Sequence, residues 1–155
     1  MNTLVAIGEQ LPFPGAVFDI ILNDNVIDHA ERPVAILEEI ARVLKPGGIL
    51  YFTVNVHHFL YDAASRAHGA WNAVGIPWEL SPFADHTVHF TERRIRNELG
   101  KLPLRILETR STVADVRTAG RRAGARNPGQ LAKRLFFKNA TFEAIAERTL
   151  SAELS

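Results

Sequence analysis

The sequence predicts an α/β fold around a mostly parallel sheet, and three observations predict it. Phe18 to Leu22 and Ile49 to Val56 are apolar, β-rich runs on either side of a helix, with short loops between. That strand–helix–strand order nearly always closes as parallel strands with a right-handed crossover. The first run carries Ile20, Ile21 and Leu22 in succession, so it is apolar on both faces, as an interior strand of a parallel sheet is. Between the runs, Ile36, Leu37, Ile40, Val43 and Leu44 form one apolar stripe at helical spacing.

The elements follow in order. Leu4 to Ile7 reads as the end of a buried strand, near 3–7. Leu11-Pro12-Phe13-Pro14-Gly15 is rigid punctuation that continues neither strand nor helix. After the strand near 18–22 come the polar residues Asn23, Asp24 and Asn25. Pro33 suits the first turn of the helix to Leu44. Lys45 lies at its negative pole, and Pro46-Gly47-Gly48 stops it before the strand near 49–56.

Phe59 to Ala73 predicts a helical insert, and Gly75 to Asp85, with Pro77 and Pro82, a loop or flap. Trp71, Trp78 and Phe83 pack in a core or cover a pocket. Thr91 is placed to cap a helix through Leu99, with Glu92 in its first turn. A further parallel strand is expected near 104–109. Phe142 to Leu154 shows a weak helical period.

The chain has 155 residues, 46% of them hydrophobic and 23% charged. That balance suits one globular domain. A formal net charge of +1 argues against a dedicated nucleic-acid binder. Val116 to Phe142 forms a basic tail with seven Lys and Arg and no acid, read as a solvated helix face rather than an RNA surface because it has little aromatic interleaving. With no cysteine, disulfides, thiolate zinc sites and cysteine nucleophiles are excluded. No apolar run has the length of a membrane span, and the start lacks the pattern of a secretory signal. A cytoplasmic protein is expected.

Leu11-Pro12-Phe13-Pro14, Phe18-Asp19, Asp28-His29 and Arg42-Val43-Leu44-Lys45-Pro46-Gly47-Gly48 occur in that order within residues 5 to 56. This set resembles the type 11 branch of the class I S-adenosylmethionine-dependent methyltransferases. Ile27 and Asp28 stand where the family usually has Leu and Glu. His86-Thr87-Val88-His89-Phe90-Thr91 resembles the family's lead into its next helix. The resemblance implies part of a Rossmann-like methyltransferase sheet. It also implies S-adenosyl-L-methionine as cofactor and methyl transfer to an unidentified small-molecule acceptor.

In open α/β sheets, ligands bind beyond the carboxyl ends of the strands. The resemblance places the cofactor's adenine at Gly8, Glu9 and Gln10, where Ile7 occupies a position commonly acidic in the family. Gly8 is read as admitting backbone close to a ring or simply as a strand-ending glycine. Asn23, Asp24 and Asn25 are implied at the methionine part of the cofactor, or form a plain polar loop. His29 matches the family histidine. It is read as structural or at the cofactor edge rather than as a base, because methyl transfer needs mainly alignment and water exclusion. Phe18 and Asp19 are read as structural. His57 and His58, just past the strand near 49–56, and Trp78 in the flap are candidates for acceptor contact. A metal site drawn from His57, His58, His86 and His89 lacks a spaced carboxylate or cysteine partner, and none is expected.

In the family the cofactor site starts with a strand ending in a glycine-rich turn, then a helix and a strand ending in an acid for the ribose, and no such glycine pattern occurs in the sequence. The expectation is a single domain over 1–155 that lacks its N-terminal part, roughly 60 residues or two βα units. In it 1–56 is the family core, 57–90 a substrate-side insert and 91–155 the C-terminal elements. Such a chain is expected to bind cofactor weakly or not at all. The alternative is a non-catalytic, methyltransferase-like binding or regulatory subunit completed by a partner chain or a second copy. A basic-tailed nucleic-acid module is the remaining reading.

Overall fold

A computed structural model describes residues 4–59, Ala63, 88–122 and 140–150. The order of elements is β1 (Phe18–Asp24), a 3-10 turn (Ile27–His29), α1 (Pro33–Val43), β2 (Leu44–Val56), α2 (Glu92–Leu99), β3 (Leu104–Ser111), α3 (Val113–Arg122) and β4 (Ala140–Arg148). The four strands form one sheet in the order β1-β2-β4-β3.

β1 and β2 pair in parallel with α1 between them in sequence, as the strand–helix–strand order predicts. β3 forms where a strand near 104–109 is expected and points the same way as β1 and β2. Its bonded neighbour, however, is β4, which runs antiparallel to both β2 and β3. The sheet is therefore mixed: three strands share a direction and one opposes them.

β4 corrects the helical period read over Phe142 to Leu154. Ala140, Phe142, Ala144 and Ala146 are buried while Thr141, Glu143 and Ile145 between them are only partly so. That alternation has the strand period of two. Alanine favours helices in isolation, but a slot between two strands offers pairing on both edges, and context of that kind overrides propensity.

The strand expected near 3–7 is also corrected. Leu4 to Ala6 have no regular structure, and Ile7 makes a single bridge to Gln10. Val5 is 97% exposed. Among the described residues β1 is bonded to β2 alone, so this apolar run has no sheet to join. The helix expected over Phe59 to Ala73 lies outside the described residues apart from Phe59 and Ala63, both helical. The flap with Trp78, and most of the basic tail beyond α3, lie outside them as well.

One core cluster joins Leu50, Phe52, Val54 and Val56 of β2 to Ile36, Leu37 and Ile40 of α1. Phe90, Ile95 and Leu99 extend it along α2, and Phe142 extends it across β4. Thr91 caps α2 as expected, its Oγ1 accepting from the Arg94 amide at 3.2 Å.

The motif residues near the start interlock. Arg42 donates from Nη1 to the Phe13 carbonyl at 2.9 Å and from Nη2 to the Leu11 carbonyl at 3.2 Å. Glu39 Oε2 accepts from the Leu11 amide at 2.8 Å, and Glu39 Oε1 from Arg42 Nε at 2.6 Å. The proline-rich turn is thus clamped to α1 by a carboxylate–guanidinium pair. Lys45 Nζ donates to both Asp19 carboxylate oxygens, at 2.8 and 3.0 Å, which ties β1 to β2.

This clamp makes stability depend on pH. The Arg42 hydrogen bond and then the Leu11 amide hold the Glu39 carboxyl at about 2, against an ordinary 4.5. A depressed carboxyl pKa stabilises the fold above the ordinary value and ceases to do so as pH falls through the folded value. The chain is expected to lose stability between pH 4.5 and about 2, and Glu39→Gln to lose less over that window. Urea denaturation at stepped pH measures both; parallel acid profiles would refute the role of the clamp.

Candidate functional site

The carboxyl end of β1 opens into a cleft of about 770 Å³, within the usual range for small-molecule sites. Its bed is apolar, with Ile7, Ile21, Leu22, Ile36 and Ile40. Gly8, Glu9, Asn23 and His29 supply polar or backbone surface. Four of the seven residues assigned to the cofactor from sequence therefore meet in one cavity.

Register explains how Asn23 arrives there. Ile21 pairs with Leu50 and Asn23 with Phe52, so both share the face of β2 that carries the core, which α1 covers. Asn23 Oδ1 is buried and has no hydrogen-bond partner among the described residues. A buried acceptor left this way costs about 1–3 kcal/mol, and a ligand that donates to it recovers that cost.

Gly8 approaches α1 closely. A Cβ added there would stand 3.0 Å from Ile36 Cδ1, so the backbone closes the cleft where a side chain would crowd it. Glu9 Oε1 accepts from the Arg32 amide at 3.5 Å, linking the cleft's first lip to the start of α1. His29 is half-exposed, with Nε2 3.9 Å from Oδ1 of the buried Asp28. The Asp28 carbonyl in turn accepts from the Val88 amide at 3.0 Å.

The other three assigned residues do not line this cleft. Gln10 is exposed in the turn that follows Gly8, its amide donating to the Ile7 carbonyl at 3.2 Å. Asp24 Oδ1 accepts from the Thr53 hydroxyl. Asn25, at φ +52°, accepts on Oδ1 from the Asn55 amide at 3.0 Å. Asp24 and Asn25 thus fasten the end of β1 to β2. Glu31 and Arg32, which sequence reading did not single out, also line the cleft. Their signal was position alone, directly after the His29 turn.

His57 and His58 belong to a separate pocket of about 380 Å³ beyond the end of β2. His57 is 2% exposed, and its ring lies 4.9 Å from that of His89. Its amide donates to the Phe90 carbonyl at 2.7 Å. Trp78 lies outside the described residues. Among the described residues, no three His, Cys, Asp or Glu are grouped so as to hold a metal ion, and no helix is long and apolar enough to cross a membrane.

Residues 1–52 match a family model described as a methyltransferase domain. The ubiquinone biosynthesis O-methyltransferase of Parvibaculum lavamentivorans is 39% identical over 66 residues, covering 39% of this chain and 26% of that enzyme. The matched segment thus spans about a quarter of that relative's length. A methyltransferase candidate from Bacillus halodurans C-125 superposes with a TM-score of 0.63 at 16% identity, over 94% of this chain and 70% of its own. The geranyl diphosphate C-methyltransferase of Streptomyces coelicolor A3(2), solved with Mg2+, geranyl diphosphate and S-adenosyl-L-homocysteine, gives 0.60 at 15% identity, over 94% of this chain and 52% of its own. At these identities the structural likeness establishes the fold.

Proposed function

We propose that this chain, whose first 52 residues match a methyltransferase domain, is part of a class I S-adenosylmethionine-dependent methyltransferase and forms one wall of the cofactor site and the acceptor side of an enzyme that methylates a small molecule. The observation that carries this reading is the buried Asn23 Oδ1, without a hydrogen-bond partner among the described residues, in the wall of an apolar cleft at the carboxyl end of β1. An apolar bed suits a flat purine ring. Glu9 and Glu31 outnumber Arg32 among the charged lining residues, a balance that suits a cationic ligand.

When bound, S-adenosyl-L-methionine supplies an electrophilic methyl group on a sulfonium. The chain's own residues do the rest by position. Asn23 would accept a hydrogen bond from the ligand's amino-acid part, and Gly8 and Glu9 would bound the ring. His29 closes the open edge. Asp24 and Asn25 hold the strand end in register, and Gln10 holds the turn behind Gly8. Alignment and exclusion of water are the main contributions such a wall makes to methyl transfer. Residues 57–90, with His57, His58 and Trp78, make up the acceptor side.

The sequence lacks the family's glycine-rich strand-to-helix pattern, and Leu22 in the cleft is 67% exposed. The chain alone is therefore expected to bind S-adenosyl-L-homocysteine more weakly than about 100 μM. NMR titration should place the shifts at Gly8, Asn23 and His29, and Asn23→Ala should reduce affinity about tenfold, near 1.4 kcal/mol. Shifts confined to other surfaces would sink the assignment of the cleft. Micromolar binding by calorimetry would sink the claim of weakness.

A second reading, a binding or regulatory subunit completed by another chain, is favoured by β1. Ile20 is 72% exposed beside Leu22, on an edge of a kind that parallel sheets normally bury. Stability that rises with chain concentration or with an added polypeptide would support it.

A further inference from the structure

Among the described residues the sheet has two open edges, and they are built differently. β3, at one edge, carries Arg105, Glu108 and Arg110 and breaks its register with β4 between Ile106 and Glu108. Charges and a bulge are the devices by which a sheet edge resists further pairing. β1, at the other edge, has neither across Ile20, Ile21 and Leu22, and its register with β2 runs unbroken from Ile20 to Asp24. The Asn25 amide donates to the Thr53 carbonyl. In a parallel ladder every second residue bonds to the same neighbour. Asn23 and Ile21 therefore face β2, while Ile20, Leu22 and Asp24 turn their backbone groups to the open edge.

The sheet face away from α1 is apolar as it nears this edge. Leu50, Phe52 and Val54 share a core with α1 and α2, whereas Ile49 and Tyr51 alternate with them and are only partly buried. Ile20 pairs with Ile49, and Tyr51 pairs with Leu22 on one side and Ile145 on the other. These five side chains form one band, and at its end Ile20 and Leu22 are 72% and 67% exposed.

The order of residues in β1 selects what covers it. Laid antiparallel on itself about Ile21, the strand sets Ile20 opposite Leu22, Ile21 opposite Ile21 and Asp19 opposite Asn23. Apolar side chains then meet twice on one face, and the carboxylate that Lys45 already holds meets a neutral amide. Ile20 and Leu22 both turn outward, so when opposed they exchange two backbone hydrogen bonds. Centring the pair on Leu22 would instead set Asp24 against Ile20, and parallel pairing in register would set each Asp against itself. Apolar pairs across strands stabilise, and like charges directly opposite destabilise. Resting on the reading of this chain as one completed by another polypeptide, we infer that the polypeptide is a second copy, joined through β1 in an antiparallel pair about a two-fold axis at Ile21. Two four-stranded sheets become one. Ile21 and Asn23 line the cleft, so the second copy brings its own Ile21 and Asp19 to the cleft's side.

Sedimentation of the full chain over a concentration series tests this. The mass is expected to rise from that of one chain toward that of two. Leu22→Lys, which places a charge opposite Ile20 twice in the pair, should weaken association about tenfold or more and leave the far-UV circular dichroism of the dilute chain unchanged. Leu107→Lys, at a 50% exposed position on β3, should change nothing. The chain has no cysteine, so single thiols read the register. Ile21→Cys should oxidise to a linked dimer, because residues facing each other between hydrogen-bonded pairs stand about 4.5 Å apart at Cα, within disulfide reach. Leu22→Cys should link only when mixed with Ile20→Cys. A monomer at every concentration, a dimer that Leu107→Lys dissociates, or Leu22→Cys linking to itself overturns the pair. A monomer whose unfolding midpoint rises on adding a polypeptide with the family's glycine-rich strand-to-helix part would remove the second copy and leave completion by another chain. A dimer without S-adenosyl-L-homocysteine shifts at Gly8 and Asn23 would keep the pair and remove the cofactor wall.

Discussion

Phe52→Ala is expected to lower the free energy of unfolding by about 3–5 kcal/mol. Phe52 is fully buried on β2, and its partners across the sheet are Asn23 on β1 and Ala144 on β4. Neither side chain is large enough to fill the space a phenyl ring leaves. With typical domain stabilities of about 5–15 kcal/mol, the loss removes a large share of the total. Urea denaturation followed by far-UV circular dichroism measures it as a lower midpoint at unchanged slope. Phe52→Leu keeps most of the volume and should cost less than about 1.5 kcal/mol. If both variants matched the wild type, the placement of Phe52 at the centre of the core would be wrong.

Gly48→Ala is expected to cost about 1–3 kcal/mol, at the upper end. Pairing jumps from Phe18↔Leu44 to Ile20↔Ile49, so Lys45 to Gly48 loop out of register opposite Asp19. A Cβ on Gly48 would stand 2.8 Å from the Lys45 carbonyl oxygen and 3.1 Å from that of Asp19. Both are backbone atoms, and neither can move without opening the bulge that aligns β1 with β2. The neighbouring Gly47 has φ +76° and open space around it, so Gly47→Ala carries only the backbone penalty of about 1–2 kcal/mol. Thermal unfolding of the pair compares the two causes directly. A Gly48→Ala variant as stable as wild type would show that the bulge is not tightly packed.

The parallel unit was legible because its signals are local. The stripe of Ile36, Leu37 and Ile40 and the successive apolar residues of β1 each report their own surroundings. The sequence also carried the residues that build the clamp, although the pairing of Arg42 with the Leu11 and Phe13 carbonyls depends on how α1 lies against the turn. β4 was not legible as a strand. Its alanines suit a helix as well as a strand, and what decides between them is a slot between β2 and β3 that local pattern does not encode. The same limit applies to the site. Asn23 could be placed by its position after an apolar run, whereas Asp24 and Asn25 have the same composition and turn instead to β2. The gathering of His58, Arg93 and Arg117 around one pocket was invisible because those residues are far apart in sequence and come from the segment after β2, from α2 and from α3.

The opposed central strand sets an order of events during synthesis. Arg148, the last residue of β4, donates to the carbonyls of Arg42 and Leu44, the former 106 residues away in sequence. β2 can pair with β1 before β4 is made, but its other edge waits until β4 has left the ribosome. Closing so long a loop costs entropy before any contact repays it, and folds dominated by such distant pairings form slowly. In the interval the nascent chain presents one unsatisfied edge of β2.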